Sequence, residues 1–185
     1  MGYVYLYFGT GGGKTANALG LALRSVGQAH RVVIVQFMKW WTETGEYKIQ
    51  DRLQPYYEIY QYGRQGWLTA DDAKMNVEMG GLNLEVRGVE DADRDVARRG
   101  LEFAKRKLDA SPNLLVLDEI CLAVHLGLLS EDEVLGVLQK IPECTDVILT
   151  GRYAPRRLLE RADFVNEIID RKSPAKFVMT KGIQF

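Results

Sequence analysis

Residues 3–20 read YVYLYFGTGGGKTANALG, and the fold turns on them. The apolar run 3–8 has the length of a strand buried on both faces of a parallel sheet. Four glycines follow within five residues, at Gly9, Gly11, Gly12 and Gly13, and then Lys14 and Thr15. From 14 to 28 the apolar positions Ala18, Leu19, Leu21, Ala22 and Val26 recur at helical spacing, and Gly27 ends the run. Strand, glycine turn and helix in this order make a phosphate cradle. Glycines admit positive φ, which lets backbone N–H groups turn toward phosphate oxygens, and the helix N-terminus adds partial positive charge at the same place. Lys14 supplies a point charge and Thr15 a hydroxyl suited to Mg2+. Gly13-Lys14-Thr15 matches the end of the general G-x-x-x-x-G-K-[ST] pattern, but Phe8 stands where its first glycine belongs and Gly9 comes one residue late. The candidate nucleotide contacts are Gly9, Thr10, Gly11, Gly12, Gly13, Lys14, Thr15 and Ala16.

Outward from this stretch, strand-like runs recur at 31–37 (RVVIVQF), 56–62 (YYEIYQY), 114–117, 146–150 and 164–169. Helical patterns lie between them at 94–108, 130–140 and 154–161. Ser130 before the acidic residues Glu131, Asp132 and Glu133 is a good N-cap signal. Such alternation predicts an α/β fold with a mostly parallel central sheet and helices on both faces. The polar, acidic stretch 67–93 breaks the rhythm and is expected to be a long loop or lid inserted into a single domain spanning 1–185.

A magnesium-binding hydroxyl needs an acidic companion. Residues 114–119, LLVLDE, end an apolar strand in Asp118 and Glu119, and ligands of open α/β sheets sit at that edge. Thr15, Asp118 and Glu119 are the candidate metal ligands, and the residues alone do not say which carboxylate touches the ion. Residues 147–152, VILTGR, end another strand at the same edge, so Arg152 is either a phosphate ligand or a surface arginine.

Composition narrows the class. Hydrophobic residues make up 46% of 185, enough for a substantial core, and the formal net charge of −1 gives no global pull toward nucleic acid or anionic membrane. Cys121 and Cys144 form neither a disulfide framework nor a metal-ligand spacing. No charged leader precedes the first apolar run and no stretch is long enough to span a bilayer, so a cytoplasmic protein is expected. His30 and His125 read as a surface and a core or helix-end residue.

Three stretches together, residues 9–40, residues 114–168 and the terminal KGIQF, resemble the ATP:corrinoid adenosyltransferases of the cobalamin-biosynthetic type. The marks are the glycine-rich loop, V-Q-F-x-K after the second strand, V-L-D-E, T-G-R and the closing K-G-I-Q-F. The resemblance implies a three-layer P-loop NTPase (RecA-like) fold. It implies a transferase that moves the 5′-deoxyadenosyl group of ATP to the cobalt of a reduced corrinoid and releases triphosphate, with Mg2+ as cofactor and the corrinoid as substrate. It further implies a homodimer and a reductase partner. On this reading Lys14, Thr15 and Glu119 are the catalytic residues, Glu119 is the favoured metal ligand, and Trp67, Trp40 and Trp41 are candidate corrinoid contacts, as against packing anchors. The chain departs from the family at Gly12, where a lysine is usual, and at Ser173-Pro174, where a histidine-proline is usual. Two other classes share the cradle: another P-loop enzyme, such as an ATPase or small-molecule kinase, and a non-catalytic ATP- or corrinoid-binding module.

Overall fold

The structure is a computed structural model and describes residues 2–70, 75–79, 82–175, 178 and 180–183. The apolar run at the N-terminus forms β1 (Val4–Phe8), and the glycine turn leads into α1 (Lys14–Val26). There follow β2 (Val32–Phe37), two single-turn helices α2 (Gly45–Lys48) and α3 (Gln50–Leu53), β3 (Tyr57–Tyr62), β4 (Trp67–Leu68), β5 (Met75–Met79) and β6 (Leu82–Arg87). The chain continues through α4 (Asp91–Leu108), β7 (Leu114–Asp118), α5 (Ile120–His125), α6 (Glu131–Leu138), β8 (Asp146–Gly151), α7 (Arg156–Arg161) and β9 (Phe164–Glu167).

Six strands form one sheet in the order β3-β2-β7-β8-β1-β9, and every pairing in it is parallel. Parallel strands need both faces covered, and the side chains divide accordingly. Val33, Val35, Phe37, Leu115, Leu117, Val147 and Leu149 pack with Ala97, Leu101 and Ala104 of α4, Ile120 and Ala123 of α5, and Val134, Val137 and Leu138 of α6. The alternate positions Val32, Ile34, Leu114, Val116 and Ile148 pack with Ala18 and Ala22 of α1. Each fully buried aliphatic side chain contributes about 1.5–3 kcal/mol, so this doubly covered sheet is the main source of stability. Ser130 caps α6 as its sequence predicts: its Oγ accepts from the Glu133 N–H at 3.2 Å, and the Glu133 carboxylate accepts from the Ser130 N–H at 2.7 Å.

The expectation of a long loop over 67–93 is corrected. The described part of this stretch holds β4, β5 and β6, which form a second, three-stranded sheet in the order β4-β6-β5, and its last residues open α4. Period-2 alternation in MNVEM and LNLEVR is the signal that the acidic composition hid. An ion-pair cluster ties the small sheet to α4. Arg87 at the end of β6 forks onto Asp93 at 2.6 and 2.8 Å, and Arg64 reaches Glu90 at 2.7 Å. The Arg87 and Asp93 side chains are both little exposed, and the pair is bidentate. Among the described residues no helix is long and apolar enough to cross a membrane.

Candidate active site

Because the six strands run the same way, their C-terminal ends bring four loops to one edge. Gly9–Gly13 follows β1, Lys39 follows β2, Glu119 follows β7 and Arg152 follows β8. Gly9 takes φ +120°, and a Cβ there would stand 2.3 Å from the Ile168 carbonyl oxygen, so no other residue fits that step. Gly13 caps α1 in the left-handed region at φ 98°, which leaves the N–H groups of the first turn facing outward for an anion. No acidic side chain competes for them from within that first turn.

Lys14 is buried, and its Nζ donates to the Gly11 carbonyl oxygen at 2.5 Å. Burial lowers its pKa, and Arg152 acts in the same direction; Glu119, Asp170 and Asp118 oppose them. Its largest cost is burial, which a bound polyphosphate would offset by adding negative charge beside the ammonium.

Asp118 is the electrostatic centre of the edge. Its Oδ1 accepts from the Thr15 hydroxyl at 2.9 Å and the Thr150 hydroxyl at 2.7 Å. Its Oδ2 accepts from Gln36 Nε2 at 3.0 Å and Lys39 Nζ at 2.8 Å. Burial pushes this carboxyl up, but the Lys39 charge and these hydrogen bonds outweigh it and hold it below the ordinary value. Burial pushes Lys39 down, but the Asp118 carboxylate outweighs it and shifts the ammonium upward.

Glu119 is the complement. It sits at φ 63°, a left-handed conformation uncommon for a glutamate, held there because its N–H donates to Thr150 Oγ1 at 2.9 Å as the chain turns into α5. Its Oε2 is buried and has no hydrogen-bond partner. Burial and the neighbouring Asp118 raise its pKa, against the pull of Lys39, Lys14 and Arg152. A buried carboxylate oxygen without a donor is costly unless a ligand meets it. Among the described residues no cluster of three or more His, Cys, Asp and Glu could cage a metal by itself. A site with one free carboxylate and a hydroxyl fits Mg2+, which takes most of its ligands from phosphates and water.

Of the residues singled out in the sequence, Lys14, Thr15, Asp118 and Glu119 come together. Arg152 is exposed at the same edge, its charge acting on both Lys14 and Glu119. Thr10, Gly12 and Ala16 are exposed on the cradle and the first turn of α1. Trp40 and Trp41 are half-buried just beyond Lys39, and the Trp41 carbonyl accepts from Gln61 Nε2 at 3.2 Å. Trp67 is partly exposed on β4 of the small sheet. Of the closing K-G-I-Q-F, Gln184 and Phe185 lie outside the described residues. Sequence reasoning missed Gln36, Lys39, Thr150 and Asp170 as parts of the edge. Gln36 had a visible signal, a polar residue inside an apolar strand, and Lys39 closes the V-Q-F-x-K motif. Asp170 had none, since its contact depends on β9 running beside β1.

Known proteins share this chain's pattern over its full length. The family model described as ATP:corrinoid adenosyltransferase BtuR/CobO/CobP matches residues 1–185. A corrinoid adenosyltransferase of Escherichia coli strain K12 is 31% identical over 186 residues, covering 99% of this chain and 82% of that protein. One from Pseudomonas aeruginosa is 29% identical over 189 residues, covering 100% of this chain and 84% of that protein. An uncharacterised protein of Nostoc sp. is 32% identical over 197 residues, covering 99% of this chain but 48% of its own length, so the chain spans about half of that relative. Full-length coverage by the family model settles the assignment: this chain belongs to the ATP:corrinoid adenosyltransferase family.

Proposed function

We propose that the shared edge of β1, β2, β7 and β8 holds ATP by its triphosphate and presents the ribose 5′ carbon to a reduced corrinoid. The electron pair on Co(I) forms the cobalt–carbon bond, the C5′–O bond breaks, and its electrons leave with inorganic triphosphate. The observation that carries this reading is the pairing of a glycine cradle around buried Lys14 with the donor-free Glu119 oxygen, in a chain of this family. No proton need be abstracted, because the nucleophile is the substrate's own metal. The protein's work is positioning and neutralising charge on the leaving group.

Each residue has a part in that work. Backbone N–H groups of the cradle and α1 receive phosphate oxygens. Lys14 and Arg152 offset the charge that grows on the triphosphate. Glu119 Oε2 and the Thr15 hydroxyl would hold magnesium, which would add positive charge at the phosphates. Asp118, already accepting four hydrogen bonds, orients Thr15 and Lys39 instead of serving as an open ligand. Trp40, Trp41 and Trp67 offer aromatic faces for the corrinoid. The protein would work as one nucleotide-binding domain with the small sheet inserted, as a homodimer, and with a reductase that supplies Co(I).

The test is the rate of adenosylcorrinoid formation from ATP, magnesium and a chemically reduced corrinoid, in the natural chain and in Glu119→Gln and Lys14→Ala. Removing one preorganised charge is expected to lower the rate about 10²–10³-fold. A natural chain that binds ATP but leaves the reduced corrinoid unalkylated contradicts the reading.

A further inference from the structure

The segment that leaves β9 lies directly on the phosphate cradle. The Gly11 N–H donates to the Ile168 carbonyl oxygen at 2.9 Å, and the Gly12 N–H donates to Asp170 Oδ1 at 3.1 Å. A Cβ on Gly11 would stand 2.8 Å from the Asp170 nitrogen, and one on Gly9 would stand 2.3 Å from the Ile168 oxygen, so strap and cradle are in backbone contact at two steps. Gly12 is different: nothing lies within 4 Å of the place its Cβ would occupy, so on that side it faces open space. A carboxylate is the nearest chemical mimic of a phosphate oxygen that a side chain can offer, and here it occupies a donor of the loop built to receive phosphates. Asp170 is exposed and also acts electrostatically on Lys14, the cradle's buried cation.

We propose that Asp170 is an internal competitor for the cradle, which weakens the hold on triphosphate and so speeds release of the leaving group after transfer. The inference rests on the function proposed above for this edge. When triphosphate fills the loop, the Asp170 carboxylate loses its Gly12 N–H and faces a polyanion. When triphosphate departs, that hydrogen bond re-forms. Both changes favour the empty state. The ligand chemistry at issue is the polyphosphate chain alone, without the adenosine.

Asp170→Asn keeps an oxygen acceptor for the Gly12 N–H and removes the charge. Inorganic triphosphate should bind this variant about two- to tenfold more tightly by titration calorimetry at low salt, the size of one like-charge contact at a wet surface. In the adenosyl-transfer assay the ratio of steady-state to single-turnover rate should fall, because product leaves more slowly. A purely structural role would loosen the cradle and weaken binding. Triphosphate affinity that is unchanged or weaker in Asp170→Asn overturns the proposal. The calorimetry needs no corrinoid, so its outcome is separate from whether the natural chain makes an adenosylated product.

Discussion

Asp118 accepts hydrogen bonds from Thr15, Gln36, Lys39 and Thr150, which leaves Glu119 as the carboxylate with an oxygen to offer. This division of labour between neighbours predicts different consequences for their loss. Asp118→Ala leaves Lys39 only the Glu46 carboxylate at 3.8 Å and takes an acceptor from the fully buried Gln36, and should destabilise the fold by about 1–3 kcal/mol in urea unfolding. The cradle glycines give a second contrast. Gly9→Ala must fit a side chain at positive φ against the Ile168 carbonyl and should cost more than the backbone strain alone, which is about 1–3 kcal/mol. Gly12→Ala meets open space and should stay within about 0.5 kcal/mol of the natural chain. Much of the residue scale is legible in the sequence, where LLVLDE and GGGKT mark the carboxylate pair and the cradle by residue type and order alone. The split between Asp118 and Glu119 is not, because it depends on donors from β2 and β8, brought beside β7 only by strand order.

At the scale of elements, long apolar runs announce their strands because parallel strands are buried on both faces, and β2 is buried at all six positions. The small sheet escapes notice because its strands carry charge within an acidic stretch, although β5 and β6 are as long as β1 and β2. It is tied to α4 by an ion pair that composition does not show. Arg87→Ala leaves Asp93 buried without its fork, and should lower amide protection in β6 while β2 and β7 keep theirs. Acid should act in the same way. Burial pushes Asp93 up, but Arg87, the Glu90 N–H and Arg64 together hold it below the ordinary value of 3.8. With the folded value depressed, the pair's stabilisation is full above 3.8 and is lost as pH falls below that value toward the folded one. Hydrogen exchange across that acidic window should show the small sheet opening before the six-stranded one.

For the whole molecule, the order β3-β2-β7-β8-β1-β9 explains why residues as far apart as Thr15, Lys39 and Thr150 share the Asp118 carboxylate. The sequence pattern implies a parallel sheet with its ligand edge at the strand C-termini, and the family motifs narrow the ligand to a triphosphate and a corrinoid. It does not show that the strap after β9 lies on the cradle, since nothing local in residues 168–170 marks them as partners of Gly11 and Gly12. The central claim is that the phosphates leave as one piece. It is tested by phosphorus NMR of the anions released when the protein turns over ATP with magnesium and a chemically reduced corrinoid. One inorganic triphosphate per adenosylated corrinoid is the predicted result. Orthophosphate with ADP, or no released anion at all, would contradict it.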